Sequence, residues 1–231
     1  MKKIKKISKG KVKESSLNQL LIIAVFIILT ILSLIIVLKT YSFYRGKRIS
    51  ASLEDGKNYY KQGEYRGSID ALKKGLKLDS NNLEIMLLLG RVYEAAGRTD
   101  EAKETYREVL EVETKNEESL YRLSVIYSSE GNIDESLNLL ETALTENPDF
   151  ISARLLRAQL YLETDALEKA EEEFIYVIEN KPYGFDMFSV YFGLGQVYFE
   201  SSKNDKAREY WEKALDIRPD DEKIKKLLEH I

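Results

Sequence analysis

The sequence predicts an all-α chain: an α-solenoid of five helix–turn–helix units, closed by a short capping helix and preceded by one transmembrane helix. Three observations carry this. Leu20–Leu38, LLIIAVFIILTILSLIIVL, is an apolar run without a single charge. Beyond it, small residues and tyrosines recur at a fixed interval of 34 residues. The 231 residues include only three prolines while 32% of side chains are charged, a balance that suits solvated helices.

Residues 1–16 are a basic tail. They carry Lys2, Lys3, Lys5, Lys6, Lys9, Lys11 and Lys13 against Glu14, in a chain whose net charge is −4. A basic tail thus precedes an acidic body. Residues 17–41 are the transmembrane helix. At about 1.5 Å per residue the uncharged run spans about 28 Å, near the hydrocarbon thickness of a bilayer. Thr30 and Ser33 can satisfy their hydroxyls on their own helix. Tyr41, Phe43 and Tyr44 follow as an interfacial anchor. A cleaved secretory signal would have a shorter apolar region, about 7–15 residues, and a small-residue cleavage site. KTYSFYRGKR stands there instead, which favours a retained signal-anchor. Lys39, Arg45, Lys47 and Arg48 are fewer than the lysines of the tail. The bias predicts a single-pass cytoplasmic (inner) membrane protein, its N-terminus in the cytoplasm and its body extracytoplasmic. Residues 42–48 are a linker.

The repeats fill 49–221. Gly56, Gly90 and Ser124 are one interval apart, as are Tyr59, Tyr93, Tyr127 and Tyr161. So are Gly63, Gly97 and Gly131, and Ser68, Ala102, Ser136 and Ala170. The units are 49–82, 83–116, 117–150 and 151–184. After the insertion of Phe185, Asp186 and Met187, a fifth follows at 188–221, with Gly195, Tyr198, Ala207, Trp211, Ala214 and Pro219. A glycine inside a helix costs about 1 kcal/mol relative to alanine. Its recurrence at Gly56, Gly90 and Gly195 predicts a close crossing by the second helix, with Ser124 and Ala158 in the same role. Gly63, Gly97 and Gly131 are expected to close each first helix in the left-handed region. Pro148, Pro182 and Pro219 end second helices. One such unit cannot bury its apolar face alone, whereas stacked units can. Residues 222–231 put Ile224, Leu227, Leu228 and Ile231 on one helical face, a capping helix over the fifth unit. His230 reads as a solvated end residue.

This pattern closely resembles the tetratricopeptide repeat (TPR) family. The order within each unit matches: small residue, tyrosine, turn glycine, alanine, aromatic, alanine, proline. Asp165 and Ser202 depart from it at the turn glycine, Ser80 and Thr114 at the proline. The resemblance implies a concave groove lined by the first helix of each unit at its fifth, ninth and twelfth positions. In this chain those are Leu53, Lys57, Tyr60; Leu87, Arg91, Glu94; Tyr121, Val125, Ser128; Leu155, Gln159, Leu162; and Phe192, Gln196, Phe199. The fifth position is apolar or aromatic throughout; it either anchors a bound peptide or packs neighbouring units. Some TPR adaptors grip the C-terminal carboxylates of chaperones. Arg122 matches that set, but Leu53, Lys57 and Glu118 replace its other members, so this subclass is rejected. TPR lipoproteins of outer-membrane assembly and the rubredoxin-bearing TPR proteins are disfavoured too, since both need cysteines.

No catalytic motif is present. The chain has no cysteine and one histidine, His230, which removes thiolate chemistry and leaves histidine chemistry almost nothing. There is no phosphate loop, H-E-x-x-H or G-x-S-x-G. The carboxylate runs TDEAKE (99–104) and EKAEEEF (168–174) read as solvated faces. No enzyme, cofactor, metal or small-molecule substrate is expected, and an acidic body argues against nucleic acid. The aromatic stretch 181–199, KPYGFDMFSVYFGLGQVYF, is either a hot spot or packing around the insertion. The expected function is a membrane-tethered scaffold or adaptor that binds protein or peptide partners in an extracytoplasmic envelope process. Two rivals stand beside it: a cytosol-facing receptor or targeting factor, and a membrane-complex subunit held through its transmembrane helix.

Overall fold

A computed structural model describes residues 2–231, with side chains from Leu21 onward; the lysines and Glu14 of the tail lie outside the described side chains. The described residues form eleven α-helices and no strand. They are α1 (Lys2–Lys61), α2 (Tyr65–Leu76), α3 (Leu83–Ala95), α4 (Thr99–Val112), α5 (Glu117–Ser129) and α6 (Ile133–Glu146). Then come α7 (Ile151–Glu163), α8 (Leu167–Asn180), α9 (Phe188–Glu200), α10 (Asn204–Ile217) and α11 (Glu222–Glu229). Each odd-numbered helix from α1 to α9 packs against the helix after it, and each pair packs on the next.

The first finding is the length of α1. One helix of 60 residues contains the apolar run, the stretch 42–48 and the first half of the first pair. The sequence reading treats 42–48 as a linker; the structure makes it a helical one, with no break. The stretch has no proline, and Gly46 alone interrupts its helix formers, a cost of about 1 kcal/mol that neighbouring turns absorb. Clamping to the repeats begins at once. Arg45 Nε donates to the Leu78 carbonyl at 2.8 Å, and its guanidinium lies 4.0 Å from Asp79. Along the apolar run the side chains have no protein cover, and this is the one helix among the described residues long and apolar enough to cross a membrane. Thr30 and Ser33 donate to the Ile27 and Thr30 carbonyls at 2.8 Å, so neither hydroxyl is left unpaired.

Within each pair, one turn geometry recurs. The tyrosine near the end of the first helix accepts a backbone bond five residues on: Glu64 N to Tyr59 O, Arg98 N to Tyr93 O, Asn132 N to Tyr127 O, Ala166 N to Tyr161 O, Lys203 N to Tyr198 O, at 2.8–2.9 Å. This bond needs a left-handed residue just before the donor. Gly97 supplies it at φ +70°, with Gly63 and Gly131 alike. Asp165 and Ser202 hold φ of +58° and +59° without the glycine's freedom, so the stacked fold imposes the turn there. Asn82, Asn116 and Asp221 cap α3, α5 and α11 by accepting from Ile85, Ser119 and Ile224 at 3.0–3.1 Å.

The crossings follow size. Leu72, Tyr106, Leu140, Phe174 and Trp211 occupy one position of successive second helices, and all are fully buried. A Cβ added at Gly90 would lie 2.5 Å from Tyr106, at Gly56 2.5 Å from Leu72, and at Gly195 against Trp211. The second-helix small residues Ser68, Ala102, Ser136, Ala170 and Ala207 are fully buried as well. Ser68 and Ser136 donate to the carbonyls of Gly56 and Ser124 at 2.8 and 2.7 Å, tying the two helices together. Gly193, unremarked in the sequence reading, receives Phe174 of the preceding pair. The apolar core divides into three clusters along the chain, as expected where each unit touches only its neighbours. At the far end α11 buries Ile224 and lays Leu227 and Leu228 on the last cluster.

Candidate functional site

The site is the surface shared by the first helices. α1 touches α3, α5 touches α7 and α7 touches α9, and the Arg91–Glu118 and Arg122–Glu94 pairs join α3 to α5. Leu53, Lys57 and Tyr60 lie on α1; Leu87, Arg91 and Glu94 on α3; Tyr121, Arg122 and Val125 on α5; Leu155, Gln159 and Leu162 on α7; Phe192, Gln196 and Phe199 on α9. The fifth-position side chains Leu53, Leu87, Tyr121, Leu155 and Phe192 are half-buried, each against a core cluster. They therefore contribute packing and keep one side open. Val125 and Phe199 are the apolar groove residues that stand well out, at 37% and 36% exposure.

Charge is distributed unevenly. On α1, α3 and α5 the groove-position cations Lys57, Arg91 and Arg122 each face a carboxylate on a neighbouring helix. Lys57 Nζ bonds Glu84 at 2.7 Å. Arg91 Nε lies 2.9 Å from Glu118, while Arg122 reaches Glu94 at 3.3 Å and Glu118 at 3.9 Å. Lys57, Tyr60, Lys61, Glu84, Leu88 and Arg91 line a recess of about 260 Å³. Close to Arg91, Glu94, Glu118 and Arg122 lies the fully buried Tyr106, whose hydroxyl has no hydrogen-bond partner among the described residues. Burial pushes the Tyr106 hydroxyl well above the ordinary phenol range. Burial also raises the Glu94 carboxyl; Arg122 opposes that shift without cancelling it. Along α7 and α9 the groove positions carry no charge, and the Gln196 amide donates to Glu200 at 2.8 Å.

Sequence reasoning placed Arg91 and Glu94 on this surface but missed their partners. A signal for them exists: Lys57–Glu84 and Arg91–Glu118 are both separated by 27 residues, a ninth position reaching the second position of the next unit. The reading of 168–174 as a wholly solvated face is corrected at Glu173, which is buried. Arg154 meets it at 3.0 Å and Arg157 pairs with its other oxygen, both from α7. The two guanidiniums stand where this buried carboxylate would otherwise have lost its water partners. Glu168 and Glu172 remain exposed, as that reading has them. In the aromatic stretch, Phe188, Val190 and Tyr198 are buried, and Phe199 lies 5.5 Å from Trp211 between ring centres. Most of that stretch is packing; Tyr183, in the turn just before the insertion, is fully exposed.

Paired helices stacked on one another, each pair on the next, define a helical-repeat solenoid. The chain belongs to the tetratricopeptide repeat family: descriptions of that repeat match residues 59–124, 127–182 and 188–221. The described fold is similar to the crystal structure of MamA protein, at 27% identity and TM-score 0.65, over 74% of this chain and 92% of that one. It is also similar to YrrB, titled a TPR protein with an unusual peptide-binding site, at 22% identity and TM-score 0.64, over 78% of this chain and 91% of that one. Among curated proteins it is similar to the human Protein O-mannosyl-transferase TMTC1, 28% identical over 75% of this chain. That match spans 20% of the human protein's length.

Proposed function

We propose that the protein is a membrane-tethered scaffold that holds a protein partner along the inner face of its repeats. The observation that carries the reading is the continuous surface of five first helices, with open apolar side chains at Val125 and Phe199 and no assembled catalytic group beside them. A solenoid built this way offers an extended surface rather than an enclosed pocket, which suits a peptide segment and not a small molecule. The apolar run of α1 supports a retained membrane anchor. The lysine excess before it supports a cytoplasmic N-terminus, an extracytoplasmic repeat domain and work in envelope secretion, assembly or chaperone assistance. No catalysis is assigned.

The basic residues Lys39, Arg45, Lys47 and Arg48 after the run favour the opposite topology, a cytosol-facing receptor. A C-terminal reporter active only outside the cytoplasm decides for the first; activity only inside decides for the second. Exchange of residues 20–38 for an unrelated span should leave partner capture intact. Capture lost with the exchange would instead make the transmembrane helix the contact.

A further inference from the structure

We infer that the face of α1 just past the apolar run, carrying Lys39, Lys47 and Arg48, binds anionic phospholipid headgroups and seats the first helix pair on the bilayer. The inference rests on the membrane-anchor reading above and adds the chemistry of the surface that the anchor reaches.

The cations beyond the run divide into two kinds. Arg45 is committed inward, to the Leu78 carbonyl at 2.8 Å and towards Asp79 at 4.0 Å. Lys39, Lys47 and Arg48 are exposed and form no ion pair among the described residues. Lys39, Phe43 and Lys47 follow at intervals of four, so they make one row along the helix. Tyr44 and Arg48 make the row beside it. Lys47 is two residues from Arg45, about 200° around the helix, and so looks away from the repeats. The rings of Phe43 and Tyr44 pack edge to face at 5.7 Å and stay exposed.

Continuity, height and sign make the occupant of this face a headgroup layer. The face continues, without a break, a helix whose apolar side chains have no protein cover. Rings and cations then follow the apolar run, as the interface and the headgroups follow the hydrocarbon. From Leu38 to Arg48 the helix rises about 15 Å, and the headgroup layer of one leaflet is about 5–8 Å thick. Side chains on a helix tilt towards its N-terminus, here towards the bilayer, so Lys47 and Arg48 lean back to that layer on long stems. No carboxylate occurs from Ser15 to Leu53. Asp79, the carboxylate of the adjoining turn, is already held by Arg45 and by the Asn82 amide at 3.2 Å. Lys77 adds an exposed cation next to Leu78. This end of the first pair is therefore basic on an otherwise acidic body, and it complements lipid phosphates. Each cation near an anionic surface strengthens the attraction about fivefold.

The test places a spin label at Ser80→Cys, in the exposed turn that Arg45 ties to α1, on the full chain in phosphatidylcholine vesicles with and without phosphatidylglycerol. Collision of the label with a neutral, water-soluble nickel chelate should fall about twofold or more when phosphatidylglycerol is present. The fall should vanish in about 1 M salt, where charges are screened beyond about 3 Å. It should vanish also when Lys39→Gln, Lys47→Gln and Arg48→Gln are combined, and persist when Lys39→Arg, Lys47→Arg and Arg48→Lys are combined. Circular dichroism of both variants should match that of the parent chain; the salt arm needs no substitution. No fall in the parent chain, a fall that survives salt, or one equal in the glutamine variant overturns this inference and leaves the anchor reading standing. Release of the chain from the vesicles by alkaline carbonate overturns the two together.

Discussion

At the scale of single residues the groove turns on Glu94. Its carboxyl is raised chiefly by burial, with Arg122 pulling the other way. A carboxyl raised on folding holds its proton more tightly in the folded state. Its contribution to stability is therefore fully present below the ordinary carboxylate value, about 4.3, and is lost as pH rises through the raised one. The prediction is that Glu94→Gln gains on the parent chain, in urea denaturation, as pH is raised from about 4 to 7. If the parent gains instead, the pair with Arg122 outweighs burial. The position of Glu94 was legible from its place in the repeat. Its chemistry was not, because Tyr106, Glu118 and Arg122 come from other helices, up to 28 residues away.

At the scale of helices, the crossing of α3 by α4 shows what the repeat demands of its small position. Tyr106 fills the space that a side chain at position 90 would need. Gly90→Leu should destabilise the chain by about 1–3 kcal/mol or more. Gly46→Ala, in open space on α1, should instead gain up to about 1 kcal/mol of helix propensity. Thermal melts of the two variants check the pair, and equal melting curves would remove the steric account. This level of the fold was readable in advance, because Gly56, Gly90 and Gly195 recur at the repeat interval and glycine inside a helix needs a reason. Gly193 was not, since it serves the contact between units and has no counterpart in the other repeats. Nor was Glu173, whose neighbours in EKAEEEF are solvated; only the fold brings Arg154 and Arg157 against it.

At the scale of the whole molecule, the apolar run and the solenoid share one helix. The uncharged run and the first repeat announced themselves separately in the sequence, by hydropathy and by period. Neither signal describes the residues between, so the continuity of α1 through 42–48 was invisible. It has a measurable consequence. Spin labels at Lys39→Cys and Lys61→Cys, introduced into a chain without native cysteine, should sit about 33 Å apart in one narrow distribution. A broad distribution would mean a flexible joint. With α1 unbroken and tied to the repeats at Arg45, the proposed membrane anchor would hold the groove close to the bilayer, which suits a partner that is itself at the membrane surface.

The central claim is that this surface holds a protein, and photo-crosslinking in native membranes tests it most directly. A photoreactive residue placed at Phe199 or Val125 should give discrete adducts of defined mass, while one at the exposed Glu172 on α8 should give none. Adducts from Glu172 equal to those from the groove, or none from either groove position, would contradict the account.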